Sequence, residues 1–328
     1  MVIYTWEEMF PQEILDSFRK VTGTEVVLKY FEYNEDMLMG LQEAEGGTYD
    51  LVIADDYIIE FVTEQGLAQK LDKSKIPNLK NVNPLYQHQF YDPRDEYTVP
   101  YGAGIQTIVY DPGKINFDIE GFSDLWNPDL RGRVGITSNY RVIDGMTLQT
   151  MEKSYNETDP AVIEAAGRQL LELVPNIAVI RDMDLDDELL AGNIDVALMY
   201  TDQVTKSLVQ NPGLKVVYPK EGIGFGIMAA FIPSKAPNAA GAHRFLDFIL
   251  DPWRGADCAE YLAYYCANSA AEDYIKPELR EYLTMPTETR NGIEVIRFGN
   301  FEIMLNIDQD AEDAHARIWE AFNKAAGN

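Results

Sequence analysis

The stretch Tyr49-Asp-Leu-Val-Ile-Ala-Asp-Asp-Tyr57 decides the fold. Its middle, Asp50–Ala54, is a short apolar run of the kind that forms a strand buried on both faces, and a helical pattern ending at Gly66 follows it directly. Outward toward the N-terminus, Met37, Leu38 and Leu41 stand at helical spacing, with Asn34 placed to cap that helix and Gly46-Gly47 to close it. Before them Glu25–Phe31 is β-branched and aromatic, and so a strand. Ahead of it Pro11 sits where a first helical turn tolerates proline, Ile14, Leu15, Phe18 and Val21 follow at helical spacing, and Gly23 stops the helix. Val2–Thr5 opens the chain as one more short strand. Strand, helix, strand, helix, strand of this kind implies a parallel sheet with helices on both faces.

Outward toward the C-terminus the pattern falters. Ile76–Pro100, rich in Pro, Asn and Asp, reads as surface loop, Gly102-Ala103-Gly104 as a flexible crossover and Gln106–Tyr110 as a strand. The glycines are no dinucleotide fingerprint, because no helix follows them closely. Phe122–Gly132 reads as a short capped helix ending in a turn. Alternation then restarts with strand Arg133–Thr137, two helices within Asp144–Leu173, strand Ile177–Ile180, helix Leu185–Ala191 and strand Ile194–Tyr200. A helix, Leu214–Tyr218 and Gly226–Pro233 complete it. At 328 residues the chain suits two α/β lobes joined by short crossovers. Ligands of such sheets bind at the carboxyl ends of strands, which directs attention to the loops after Tyr4, Ala54, Thr137 and Met199.

Composition narrows the function. The 46% hydrophobic and 25% charged fractions are those of a soluble globular protein, and no apolar run spans a bilayer. A net charge of −27 repels phosphate backbones and makes nucleic acid a poor candidate partner. The same field is suited to drawing a cationic solute toward a cleft, although plain solubility or adaptation to salt is the preferred explanation. Cys258 and Cys266, about 12 Å apart on a continuous helix, read as free thiols. No metal site is expected: His88, His243 and His315 lack partners in sequence, and the run Asp182-Met-Asp-Leu-Asp-Asp187 departs from a calcium loop at Asp187 and Asn193. That run reads as the cap and acidic first turn of the next helix. No nucleophile elbow, phosphate loop or zinc-protease motif is present, so neither an enzyme nor a cofactor is expected. The opening Met1-Val-Ile-Tyr-Thr-Trp6 has no leader features, which leaves open a cytoplasmic protein or one whose leader has been trimmed.

Three clusters join an aromatic to an acid directly after a strand: Trp6-Glu7-Glu8, Asp55-Asp56-Tyr57 and Tyr200-Thr201-Asp202. Aromatic faces with carboxylates hold alkylammonium groups, each ring contact contributing about 0.5–2 kcal/mol. Each cluster alone is also explained as a helix cap beside a packing aromatic. Recurrence at three corresponding strand ends is what raises the binding reading.

These residues also carry a resemblance. Tyr4-Thr-Trp6, Tyr49-Asp-Leu-Val-Ile53, Leu71-Asp-Lys-Ser-Lys-Ile76, Phe122-Ser-Asp-Leu-Trp-Asn-Pro128, Tyr218-Pro-Lys-Glu-Gly222 and Phe245-Leu-Asp-Phe-Ile249 resemble the periplasmic spermidine/putrescine-binding proteins, in order and nearly end to end. The resemblance implies an α/β, two-lobed periplasmic-binding-protein fold of type II, with a mixed sheet flanked by helices in each lobe and the ligand clamped between them. It places 1–109 with 229–300 in one lobe and 110–228 with 301–328 in the other, with crossings near Val109, Met228 and Asn300. It further implies a periplasmic or extracellular location, possible lipid anchoring, a trimmed leader, a monomer, and an ABC permease with its ATPase as partners.

Carried over residue by residue, the resemblance assigns Trp6 and Tyr57 to the aromatic walls of the polyamine channel. Tyr200 stands for a tryptophan and Tyr264 for another lining tyrosine. The family's main carboxylate positions fall on Asn139, Val142 and Met228, a stacking tryptophan falls on Gly226 and a tyrosine on Met9. An ammonium left without its buried partner costs several kcal/mol, enough to erase micromolar binding. Asp55 (a serine in the family), Asp202 and Glu7 are the acids placed to compensate. The expected ligand is a small amine cation, polyamine in type. The alternatives are another solute in a pocket opened by Gly226, Val142 and Met228, and a sensory module of the same fold.

Overall fold

Apolar runs too short for helices become strands buried on both faces, and the computed structural model, which describes residues 1–290, 293–297 and 300–327, is organised around them. The chain divides into two compact units, one of Met1–Ala103 with Gly226–Met285, the other of Gly104–Phe225 with the residues from Pro286 onward. Phe298 and Gly299, just before the third crossing expected from sequence, lie outside the described residues, as does Asn328.

The first unit begins β1 (Val2–Thr5), α1 (Gln12–Thr22), β2 (Val27–Tyr30), α2 (Asn34–Glu43), β3 (Leu51–Asp55) and α3 (Asp56–Glu64). Helix α1 starts after Pro11 and ends at Gly23, whose left-handed φ of 73° lets its N–H donate to the Arg19 carbonyl, as the sequence predicts. Strands β2, β1 and β3 run parallel in that order. Short 3-10 turns then lead to β4 (Thr98–Tyr110), much longer than the expected Gln106–Tyr110 because Pro100 and the glycines at 102 and 104 hide its pattern. The intervening segment is no plain surface loop: it buries Tyr86, Tyr91 and Asp92.

The second unit takes over within β4 and continues β5 (Val134–Ile136), α4 (Tyr140–Thr150), α5 (Pro160–Leu171), β6 (Ile177–Ile180), α6 (Leu185–Ala191), β7 (Val196–Tyr200), α7 (Thr201–Gln210), β8 (Lys215–Val217) and β9 (Ile223–Phe231). Phe122–Leu130 forms two successive 3-10 turns in place of the expected short helix, since Pro128 interrupts it. Strands β6, β5 and β7 are parallel, and β7 and β8 pair antiparallel with β4, giving a mixed sheet. The chain passes back to the first unit within β9, whose Met228 lies opposite Asp55 on antiparallel β3. There it adds α8 (Ala239–Ile249), α9 (Pro252–Leu262), β10 (Tyr265–Cys266) and α10 (Pro277–Leu283). Helix α9 breaks at Ala263 (φ 61°), so Cys258 and Cys266 do not share a helix; both thiols are free, buried and pushed by that burial to about 12. The end of the chain, β11 (Thr287–Arg290), β12 (Ile293–Ile296), β13 (Phe301–Ile303) and α11 (Gln309–Ala326), belongs to the second unit.

Each unit has its own core. In the first, Ile3, Phe18, Leu51, Ile53, Phe245 and Leu246 have no exposed surface, and Phe245 meets Phe10 and Phe18 edge-on at 5.2 and 5.0 Å. In the second, Val134, Ile136, Ile143, Val196, Leu198 and Phe322 are equally buried. Helix α11 lies on α4 and α5, and His315 from it pairs with Asp144 at 2.9 Å with neither side chain exposed. No helix among the described residues is long and apolar enough to cross a membrane.

Candidate functional site

At the carboxyl end of β1 the chain delivers Trp6, half-buried, with its ring 4.8 Å from Phe31 at 60°. Phe31 is edge-on to Tyr4, which stacks on Tyr49 at 4.1 Å. Trp6 thus packs against the end of an aromatic series through Phe31. Glu7 and Glu8 follow as exposed residues.

At the end of β3 strand and helix abut: Asp55 is the last strand residue and Asp56 the first of α3. The two acids diverge. Asp56 is buried and accepts the backbone N–H groups of Ile227 and Tyr57, both at 2.8 Å, so it ties β9 to the start of α3. Burial, reinforced by the neighbouring Asp55 charge, holds its carboxyl well above the usual range. Asp55 is partly exposed. Burial lifts it to about 6, the hydrogen bond from Asn34 opposes that rise, and the Glu35 charge adds to it.

Asn34 is where the structure corrects the sequence reading. The cap position of α2 is Tyr33, and Asn34, the first helical residue, makes no capping bond. Its side chain turns away to donate to Asp55 Oδ2 at 2.9 Å and to Tyr57 Oη at 3.1 Å, while its Oδ1 accepts the Asp55 N–H at 3.3 Å. The Tyr57 hydroxyl in turn donates to Glu35 Oε1 at 3.1 Å, and burial with the Glu35 charge pushes the phenol above its ordinary value. Two acids, a phenol and an amide are therefore joined by hydrogen bonds at the ends of α2 and β3.

The other residues singled out on the first unit are varied in setting. Met228 belongs to the core, and its methyl sits 3.1 Å from where a Cβ on Gly102 would lie. The same imagined Cβ would meet Leu262 Cδ2 at 2.9 Å, so Gly102 serves close packing. Tyr264 is half-buried against that core. Gly226 faces open space: a Cβ built there meets nothing within 4 Å.

On the second unit, Asn139 caps α4, its Oδ1 accepting the N–H groups of Arg141 at 3.1 Å and Val142 at 3.4 Å. Val142 is buried. Asp182, expected to start the next helix, instead accepts the Thr137 hydroxyl and, at 3.0 Å, the Ser138 N–H, which locks the turn after β5. Helix α6 begins after Asp184, which makes no capping bond. At the end of β7, Tyr200 is half-buried and α7 starts at once with Thr201, whose hydroxyl accepts the Ile105 N–H at 2.8 Å and donates to its carbonyl at 3.1 Å. Asp202 lies in that first turn, ion-paired with Lys206 one turn on at 3.2 Å. Gln203 bridges to the start of α6, accepting the Leu185 N–H and donating to the Asp182 carbonyl. The long-range roles of Asn34 and Asp182, read from sequence as caps, and of Glu35 and Gln203 leave no local signal, because their partners lie 18 to 45 residues away.

Comparison with known proteins fits this arrangement. Residues 47–286 match the model of a family described as bacterial extracellular solute-binding protein. The chain is 32% identical over 284 residues to the spermidine/putrescine-binding periplasmic protein of Salmonella typhimurium, covering 85% of this chain and 80% of the relative. To the protein of that name in Escherichia coli it is 31% identical over 290 residues, 87% and 82% of the two chains. Among solved structures, the spermidine/putrescine ABC transporter substrate-binding protein of Streptococcus pneumoniae is similar with a TM-score of 0.83 and 25% identity over 99% of each chain. A structure from Listeria monocytogenes gives 0.86 and 26% over 98% of each.

Proposed function

We propose a function that proceeds from one premise: this chain belongs to the family of bacterial extracellular solute-binding proteins. Within that family it captures a small amine cation of polyamine type outside the cytoplasm and delivers it to an ABC permease and its ATPase. The observation that carries the reading is the group at the end of β3, where partly exposed Asp55 is linked through Asn34 to Tyr57 and Glu35. A carboxylate held at reduced hydration gains most from an arriving ammonium, since the cation replaces the water that burial removed. The names of the relatives, which bind spermidine and putrescine, support the same class of ligand.

In this reading Trp6 and Tyr57 supply ring faces and Asp55 the charge. Tyr200 on the second unit supplies a further ring face. Asn139 is already engaged as a helix cap, and Asp202 is already neutralised by Lys206. Asp202→Asn is accordingly expected to change amine affinity by less than about threefold. Loss of more than tenfold on titration calorimetry would instead make Asp202 a direct charge partner.

A thermal-shift panel of putrescine, spermidine, agmatine, amino acids and sugars tests the function. A rise in melting temperature with an amine is the expected result. Trp6→Ala and Tyr57→Ala should each weaken that amine by at least about 1 kcal/mol. Silence toward all the amines, with a shift from an amino acid or sugar, refutes the cation reading.

A further inference from the structure

Asn34 is nine-tenths buried, yet every polar atom of its side chain points into the group just described. Its orientation is settled by its neighbours: the amide oxygen faces the Asp55 N–H, and the amide nitrogen faces the Asp55 carboxylate and the Tyr57 oxygen. We propose that Asn34 is a positioning residue that sets the polarity of the site, leaving an acceptor-only surface on Asp55, Tyr57 and Glu35 that selects a primary ammonium head over a quaternary one. The inference rests on the amine reading and deepens it.

The argument is a count of donors. A primary amide has two N–H groups, and Asn34 directs one to Asp55 Oδ2 and the other to Tyr57 Oη. The phenol has one O–H, directed to Glu35 Oε1. All three side-chain donors of the group are thereby engaged within it. What remains for a solute is the second oxygen of Asp55, a lone pair of the Tyr57 hydroxyl and the Glu35 carboxylate, which all accept. A primary ammonium brings three N–H donors to such a surface. A quaternary ammonium has the same charge and no donor, so it gains only ring faces and unscreened attraction. A carboxylate or phosphate finds no donor here at all.

Asn34 also governs when the surface is charged. Its N–H bond favours the ionised form of Asp55, against burial and against Glu35; Asp56 and Tyr57 are the other titratable groups facing that carboxyl. Protonated Asp55 would present a donor and lose its charge together.

The test compares putrescine with the bis(trimethylammonium) diamine of equal chain length, by titration calorimetry from pH 5 to pH 8. Wild type is expected to prefer putrescine by at least about tenfold, and to lose putrescine affinity as pH falls through about 6. Asn34→Leu should weaken putrescine at least about tenfold, leave the quaternary diamine within about twofold, and move the pH break upward. If Asn34→Leu does not fold, the smaller truncation Asn34→Ala, which also removes both amide donors, decides, with the same direction expected for ratio and break. Putrescine binding with the ratio and the pH break unchanged in the folded variant overturns this inference alone. Wild type that binds no amine overturns the amine reading and the inference with it.

Discussion

Asp55→Asn is expected to make the ligand-free protein more stable at pH 8 while making it a poorer binder of amines. Burial raises the Asp55 carboxyl from 3.8 to about 6, so holding it ionised in the folded state costs about 2–3 kcal/mol. A group whose folded pKa is raised contributes stability that is complete below its unfolded value, near 4, and is lost as pH rises through about 6. Asparagine has no charge to desolvate and still accepts from Asn34. The advantage of the variant should therefore be absent at pH 4, emerge between pH 4 and 6, and be complete above pH 7. Amine affinity should fall about a hundredfold, the usual result of removing a charged partner from a sheltered site. Urea unfolding at the two ends of that range, with putrescine titration at pH 8, measures both. A variant no more stable than wild type at pH 8 would show that Asp55 is not held ionised at a cost, and full affinity would remove it from the site.

The second large effect is structural. Asp92 is buried and accepts four hydrogen bonds, from the N–H groups of Glu96, Tyr97 and Thr98 and from the Thr98 hydroxyl, at 2.8 to 2.9 Å. It thus gathers the turn that feeds β4. Asp92→Ala leaves three backbone donors and a hydroxyl unpartnered, and each such group costs about 1–3 kcal/mol when water cannot reach it. Partial relaxation reduces the sum, and a loss of about 4 kcal/mol from the unfolding free energy is expected. Asp92→Asn keeps one acceptor and should fall between. Urea denaturation of both variants tests this, and a change under about 1 kcal/mol in Asp92→Ala would mean that water reaches the turn.

These two acids show what the sequence made legible. Elements built on local periodicity were readable: α1 between Pro11 and Gly23, α6 at Leu185–Ala191, and the strands whose ends carry Trp6, Asp55 and Tyr200. The rule that ligands meet the carboxyl ends of strands directs attention to the ends of β1, β3, β5 and β7. What could not be read was the direction of short polar side chains. An asparagine ahead of an apolar helical pattern serves equally as a cap or as a donor to a distant group, and Asn34 takes the second course because Asp55 and Tyr57 arrive 21 and 23 residues later. Asp182 behaves likewise toward Thr137 and Ser138. The composition of Ile76–Pro100 announces turns correctly but says nothing of Asp92, since burial is decided by what the rest of the chain lays over a segment.

The abutment of strand and helix at Asp55–Asp56 and at Tyr200–Thr201 bears on how such proteins diverge. With no loop between the elements there is nothing to lengthen, shorten or restructure at these corners. A lineage that changes what these corners touch does so by replacing one side chain with another on an unmoved backbone. Chains whose main-chain paths superpose closely can then present different chemistry at the same junction.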